Sequence, residues 1–219
     1  FIYGLKMLSN ESTAARGNVV SSIGMLFAVL VTVIEIVNPV LVLSAVLLGA
    51  LIGSAFALKV KMTSIPEMVA LFNGFGGLSS FFLAWSEFNN LSAISLTMIL
   101  SFMTVLIGGI TFSGSVIAFF KLSEILKGDN NFLNKASRWF LIFSFLFVII
   151  AVIQVIAGGL GYEFIDLALI QKIFIALLII SLLAGLAFVL PIGGGDMPVV
   201  ISLLNSFSGI AAALSLIHI

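Results

Sequence analysis

The feature that most limits this chain is a series of apolar runs, several approaching or exceeding 18 residues, parted by short polar breaks. About 20 predominantly apolar residues in a helix cross the hydrocarbon core of a bilayer. Lipid offers no hydrogen bonds, so backbone groups at that depth must be satisfied within the chain, and such runs fold as membrane helices. Composition agrees. Of 219 residues, 62% are hydrophobic and 8% charged, where a soluble domain carries about 25% charged residues. Too few charges are present to cover a water-exposed surface. The expected fold is all-α, a polytopic transmembrane helical bundle.

The punctuation gives one partial helix at the start and about seven further spans: 19–37, 40–58, 66–86, 91–120, 138–157, 165–190 and 197–213. Asn38-Pro39, Lys59 with Lys61, Glu87 with Asn89 and Asn90, Gly158-Gly159 and Pro191 with Gly193–Gly195 supply the breaks. Trp85 and Trp139 stand near span ends, as interfacial anchors do. Both termini read as cut. The opening FIYGLKML resembles the last two turns of a helix, and no signal peptide is visible. The closing LSLIHI, residues 214–219, matches the in-frame translation of a transposase adaptor used in sequencing libraries. The expectation is therefore natural protein over 1–213, adaptor over 214–219, and no functional weight on His218, the one histidine.

The absence of cysteine excludes disulfides, thiolate metal sites and Cys nucleophiles. With His218 set aside, histidine catalysis and His-rich metal sites go too, and no metal is expected. Nine basic residues balance nine acidic ones, with no basic face for nucleic acid. Gly74-x-Gly76 and Gly193–Gly195 follow no strand of a βαβ unit, so they are no dinucleotide fingerprint.

The loops predict orientation. Lys6, Arg16, Lys59, Lys61, Lys121, Lys127, Lys135 and Arg138 fall on one side, here side A, and only Lys172 on the other, side B. The positive-inside rule makes side A cytoplasmic. Residues 53–80 and 185–212 also align without a gap at a shift of 132, pairing Pro66 with Pro198, Asn73 with Asn205 and Gly77 with Gly209. Four spans lie between the copies, so both point the same way. That is a parallel repeat about an axis along the membrane normal, a plan used by transporters. Ser64 and Asp196 each precede a proline by two residues, where an N-cap belongs, and Ser64 with Glu67 has capping-box spacing.

Three spans carry polar residues at membrane depth. Asn73 and Asn205 each lie seven residues past a proline, about 10 Å in from side A at 1.5 Å per residue. Ser115 lies six before Lys121, about 9 Å in. Three uncharged hydrogen-bonding groups thus share one level, among Gly and Ser that let helices approach closely. The pattern leaves two readings open: interhelical hydrogen bonding, or a polar path for water and protons across the half of the membrane next to side A. None of the three side chains titrates near neutral pH. Glu67 and Asp196 stand at helix starts on side A, where the helix dipole favours an anion. They read either as capping residues or as charges at the mouth of such a path. Glu35 reads as reaching the side-B interface. Glu163, Asp166 and Lys172 read as a solvated interfacial cluster.

The strings KVKMTSIPEMVALFNGF, ITFSGSVIAFFKL and GGGDMPVVISLLNSFSGIAAA resemble the membrane domain of the proton-translocating NAD(P) transhydrogenase beta subunits. The resemblance runs from about Phe1 to Ala213. It implies the membrane proton-channel part of an enzyme that couples hydride transfer between NAD(H) and NADP(H) to proton movement. It implies nine beta-subunit helices, with the ninth and a soluble NADP(H)-binding domain beyond residue 213 and outside this chain. It implies an alpha subunit that binds NAD(H), a dimer of alpha-beta units in membrane lipid, and a bacterial cytoplasmic (inner) membrane. The family's proton-path positions fall on Asn73, Ser115 and Asn205. Its acidic positions at the cytoplasmic mouth, near the NADP(H) domain, fall on Glu67 and Asp196. Many members carry His where this chain has Asn73, and some place a channel His on a partner helix instead. The resemblance therefore implies a titrating group on the alpha side. Two other readings compete on pattern alone: a secondary transporter, and a non-catalytic membrane scaffold.

Overall fold

The structure is a computed structural model and describes residues 2–34, 39–91, 95–126, 131–160 and 167–216. Among these residues every regular element is helical. Seven helices among the described residues are long and apolar enough to cross a membrane. Glu35, Asn38, Lys127, Glu163, Asp166 and His218, all weighed in the sequence, lie outside the described residues. The described chain divides into two units, Phe1–Val60 and Lys61–Ile219.

The first unit holds α1 (Ile2–Leu8), α2 (Glu11–Ile34) and α3 (Pro39–Lys59). Gly4 and Gly17 let α1 and α2 meet at backbone distance: a Cβ on Gly17 would lie 2.9 Å from the Gly4 carbonyl oxygen. The helix α2 starts at Glu11, eight residues before the span read from hydropathy at Val19. Hydropathy marks the length that sits in lipid. The hydrogen-bonded helix continues through the polar segment Glu11–Asn18, whose first-turn Glu11 suits the positive helix end. Pro39 opens α3, a position where its missing N–H costs nothing.

The second unit holds α4 (Ile65–Asn89), α5 (Leu96–Leu122), α6 (Asn131–Gly159), α7 (Leu167–Val189) and α8 (Met197–Leu216). The central helix is α5, packed against α4, α7 and α8, while α6 lies along α7 and barely touches α5. Small residues set the crossings. A Cβ on Gly77 of α4 would meet the Gly108 carbonyl oxygen of α5 at 2.9 Å. A Cβ on Gly114 of α5 would meet Val189 at 3.0 Å and Leu204 at 3.3 Å. Lipid is as apolar as leucine, so close van der Waals packing is what remains to hold such helices together.

The unit is inverted relative to a water-soluble protein. Ser101, Thr104, Thr111, Ser115 and Ser181 are buried, while Phe82, Phe145, Ile175 and Val199 face outward. A large apolar surface of this kind is stable only against lipid or another apolar partner.

Two 3₁₀ turns, Met62–Ser64 and Gly194–Asp196, lead into α4 and α8 at the shift of 132 noted in the sequence. The two segments thus share local structure. The capping box is not formed. Ser64 stands at the cap with φ −96° and ψ 6°, outside the extended conformation a capping side chain needs, and makes no side-chain cap bond. The 3₁₀ turn occupies the place of an extended entry, and Glu67 reaches elsewhere.

Candidate functional site

The Asn73 side chain joins three helices. Its Nδ2 donates to Ser115 Oγ on α5 at 3.0 Å. Its Oδ1 accepts from Ser208 Oγ on α8 at 2.8 Å. Local sequence makes this possible. Gly74, beside Asn73, has room for a Cβ only 3.1 Å from the Ser115 Cβ, so any side chain there would press α5 away. Gly114 does the same for α8. Ser115 is fully buried, while Asn73 and Ser208 are half-buried. The chain of bonds therefore runs from the edge of the bundle to its centre.

The depth grouping of Asn73 with Ser115 holds in space. Asn205 is placed differently: it is exposed on α8, one turn before Ser208, and is not part of this chain of bonds. Ser208 supplies the α8 hydroxyl. Its signal lay in the polar run 205–209, but which member faces α4 depends on the rotation of α8. One turn further along α5 lies Thr111, fully buried, whose Oγ1 has no hydrogen-bond partner. Several buried helix hydroxyls bond the carbonyl a turn earlier, as Ser113 does to Gly109 at 2.9 Å. Ser101 Oγ, like Thr111 Oγ1, is buried without a partner.

The side-A end carries the charges. Half-buried Glu67 accepts a hydrogen bond at its Oε2 from Ser123 Oγ at 3.2 Å, tying the start of α4 to the end of α5. Ser123 is held there by a Schellman turn. The Ile125 N–H bonds the Phe120 carbonyl and the Glu124 N–H bonds the Lys121 carbonyl. Glu124 takes the left-handed position, φ 55°, that usually falls to glycine. Lys121 was read in the sequence as a marker of sidedness and depth, but it caps α7. Its Nζ donates to the carbonyls of Leu190 and Ile192 and, at 3.4 Å, of Val189. A cation at a helix C-terminus is favoured by the dipole. Asp196 is exposed at the end of the 3₁₀ turn before α8 and makes no side-chain hydrogen bond among the described residues.

No grouping of three or more acidic or histidine side chains suited to a metal occurs among the described residues. Gly74 and Gly77 pack against α5, and no strand precedes any glycine cluster among those residues. The described residues do not form a Rossmann-type nucleotide site.

Fold and site thus define a polytopic helical membrane protein with an uncharged hydrogen-bonded chain near one end of its bundle. The family model for the NAD(P) transhydrogenase beta subunit matches residues 1–217, and the chain belongs to that family. It is 32% identical to the NAD(P) transhydrogenase subunit beta of Rhodospirillum rubrum over 97% of its own length. The same subunit from a specified strain of that organism gives the same figures. The chain spans about half the length of these relatives, 46% in each case.

Proposed function

We propose that this chain is the membrane, proton-translocating part of a transhydrogenase beta subunit, serving hydride transfer between NAD(H) and NADP(H) in domains outside it. The observation that carries the reading is the Asn73 amide, which bridges Ser115 and Ser208 at one membrane level. Such a chain orients protons and water but cannot store a proton, because neither an amide nor a hydroxyl titrates near neutral pH. A titrating group must come from elsewhere. An imidazole, with a pKa near 6.5, would load and release protons at working pH. We place it on a membrane helix of the alpha subunit, facing the exposed edge formed by Asn73, Ser208 and Asn205. Glu67 and Asp196 would line the cytoplasmic mouth, near the NADP(H)-binding domain, which we place after residue 213. Switching between NADP+ and NADPH there would shift the population of mouth conformations. This assigns side A to the cytoplasm and the complex, a dimer of alpha-beta units, to the bacterial inner membrane.

The test uses the complete enzyme in proteoliposomes. Asn73→Ala, Ser115→Ala and Asn205→Ala should each impair proton-coupled turnover, with NADP(H) affinity of the soluble domain unchanged. Full coupled turnover in all three would reduce these residues to helix packing. An alpha subunit with no histidine or carboxylate at matching depth would remove the proposed proton carrier.

A further inference from the structure

The sparse contact between α5 and α6 leaves an apolar groove of about 560 Å³, walled by Met103, Leu106 and Ile110 of α5, Ala184 of α7, and one face of α6. That face runs from Leu141 to Ile153. At 1.5 Å per residue it is about 18 Å long, and its α5 wall lies about 16–27 Å from the level of Lys121, so it reaches past the bilayer centre, about 15 Å in, within the span of an extended acyl chain. The groove opens outward, because Phe145, Ile149 and Ile153 on its wall are exposed. The polar side chain on its wall, Ser144, spends its hydroxyl on the Phe140 carbonyl at 2.8 Å. The groove itself therefore asks for hydrocarbon.

Its side-A end asks for an anion. Residues three and four apart share a helix face, so Arg138 stands one turn above Leu141 on the groove face, and Lys135 one turn above Arg138 at its flank. Both basic side chains are exposed, and neither is paired with another side chain among the described residues. Trp139, 62% exposed, stands beside them at the level where aromatic anchors meet headgroups. A basic pair above a long apolar slot has the chemistry of a phospholipid with an anionic headgroup.

We propose that this groove is a binding site for an anionic phospholipid of the side-A leaflet, its acyl chain between α5 and α6 and its phosphate at Arg138 and Lys135. The lipid supplies the packing that α5 and α6 do not give each other. The proposal rests on the membrane setting and not on the proton-path reading.

Native mass spectrometry of the complete enzyme, delipidated and then supplied with phosphatidylglycerol or phosphatidylcholine, tests it. Wild type should retain phosphatidylglycerol in preference to phosphatidylcholine. Each basic residue near an anionic lipid surface strengthens binding about fivefold, so Lys135→Gln with Arg138→Gln should weaken phosphatidylglycerol retention by about twenty-fivefold. Phosphatidylcholine retention should not change. Val148→Trp, which fills the groove, should remove both. Should that variant fail to assemble, the surface pair still decides the matter. Unchanged phosphatidylglycerol retention in the charge variant, or an equal loss of both lipids, overturns the proposal. So does a photocrosslinker at Phe145 that captures another polypeptide instead of lipid.

Discussion

The two ends of the Lys61–Ile219 unit are built on different principles. At the side-B end, Phe88 and Phe174 stack with ring centroids 3.7 Å apart and planes 8° from parallel. Phe102 tilts against both, at 5.9 Å and 5.2 Å. Met98 and Ile170 close the cluster, fully buried. At the side-A end the core is aliphatic and smaller: Ala70, Ala118, Val189, Val200 and Leu204. Beside it runs the polar chain from Ser208 through Asn73 to Ser115. The same α4 and α5 serve both ends; α6 and α7 complete the side-B cluster, and α8 with the end of α7 completes the side-A one. Large rings hold helices by dispersion over a wide area and leave no polar route between them. Small residues bring backbones into close van der Waals contact, and hydrogen bonds add to that packing only about 0.6 kcal/mol each on average in membranes.

The largest expected effect separates stability from coupling. Phe174→Ala removes a fully buried ring that touches both Phe88 and Phe102. Truncating a buried aromatic costs about 3–5 kcal/mol in water-soluble proteins. Hydrocarbon lipid removes part of the transfer contribution, so about 3 kcal/mol is expected here. Asn73→Ala breaks two hydrogen bonds and should cost about 1 kcal/mol of stability. Thermal unfolding of the purified complex reads both, and proton pumping per hydride transferred supplies the second axis. The comparison breaks if Asn73→Ala destabilises as much as Phe174→Ala, or if a folded Phe174→Ala complex loses coupling as fully.

Between the two ends lies a close crossing of α4 and α5, and it gives the next prediction. Gly77→Leu would set a Cβ 2.9 Å from both the Gly108 carbonyl oxygen and the Thr111 Cβ. Backbone cannot step aside as a rotamer can, so overpacking of about 1–3 kcal/mol is expected. Gly76→Leu, one residue away, meets nothing within 4 Å and should change little. Melting temperatures of the two variants side by side are the check. Equal destabilisation would mean that helix propensity, not the crossing, sets the cost.

Much of this architecture is legible in the amino-acid sequence, because depth in a membrane is a counting problem. Apolar run length placed the spans, and residue counts from Pro66 and Lys121 put Asn73 and Ser115 at one level, where a hydrogen bond joins them. Rotation about the helix axis is not a counting problem. Each residue turns the helix by about 100°, and the facing side is chosen by packing with partners the sequence does not identify. That is why Asn205 was grouped with the site while Ser208, one turn on, makes the bond. The Lys121 cap was hidden for a related reason: its acceptors lie about 70 residues away at and just past the end of α7, and only the fold brings them near. Hydropathy also missed the polar head of α2, since a helix does not end where lipid does.

Asn205 is where the smallest stability effect and a large functional effect should coincide. Its side chain is exposed and outside the bonded chain, so Asn205→Ala should change the stability of this unit by less than about 0.5 kcal/mol. An exposed amide at membrane depth is nonetheless costly against hydrocarbon, by about 1–3 kcal/mol when unpartnered. Such a group is retained most readily where another helix or water meets it. The proposed function supplies both, at the edge where an alpha-subunit helix would pass Asn73 and Ser208. Asn205→Ala should therefore leave melting unchanged and lower proton-coupled turnover, whereas Ser206→Ala, exposed on the same helix with its hydroxyl bonded back to Ser202 at 3.1 Å, should do neither. Equal behaviour of the two variants would mean that Asn205 merely faces lipid, and the polar edge would shrink to Asn73 and Ser208.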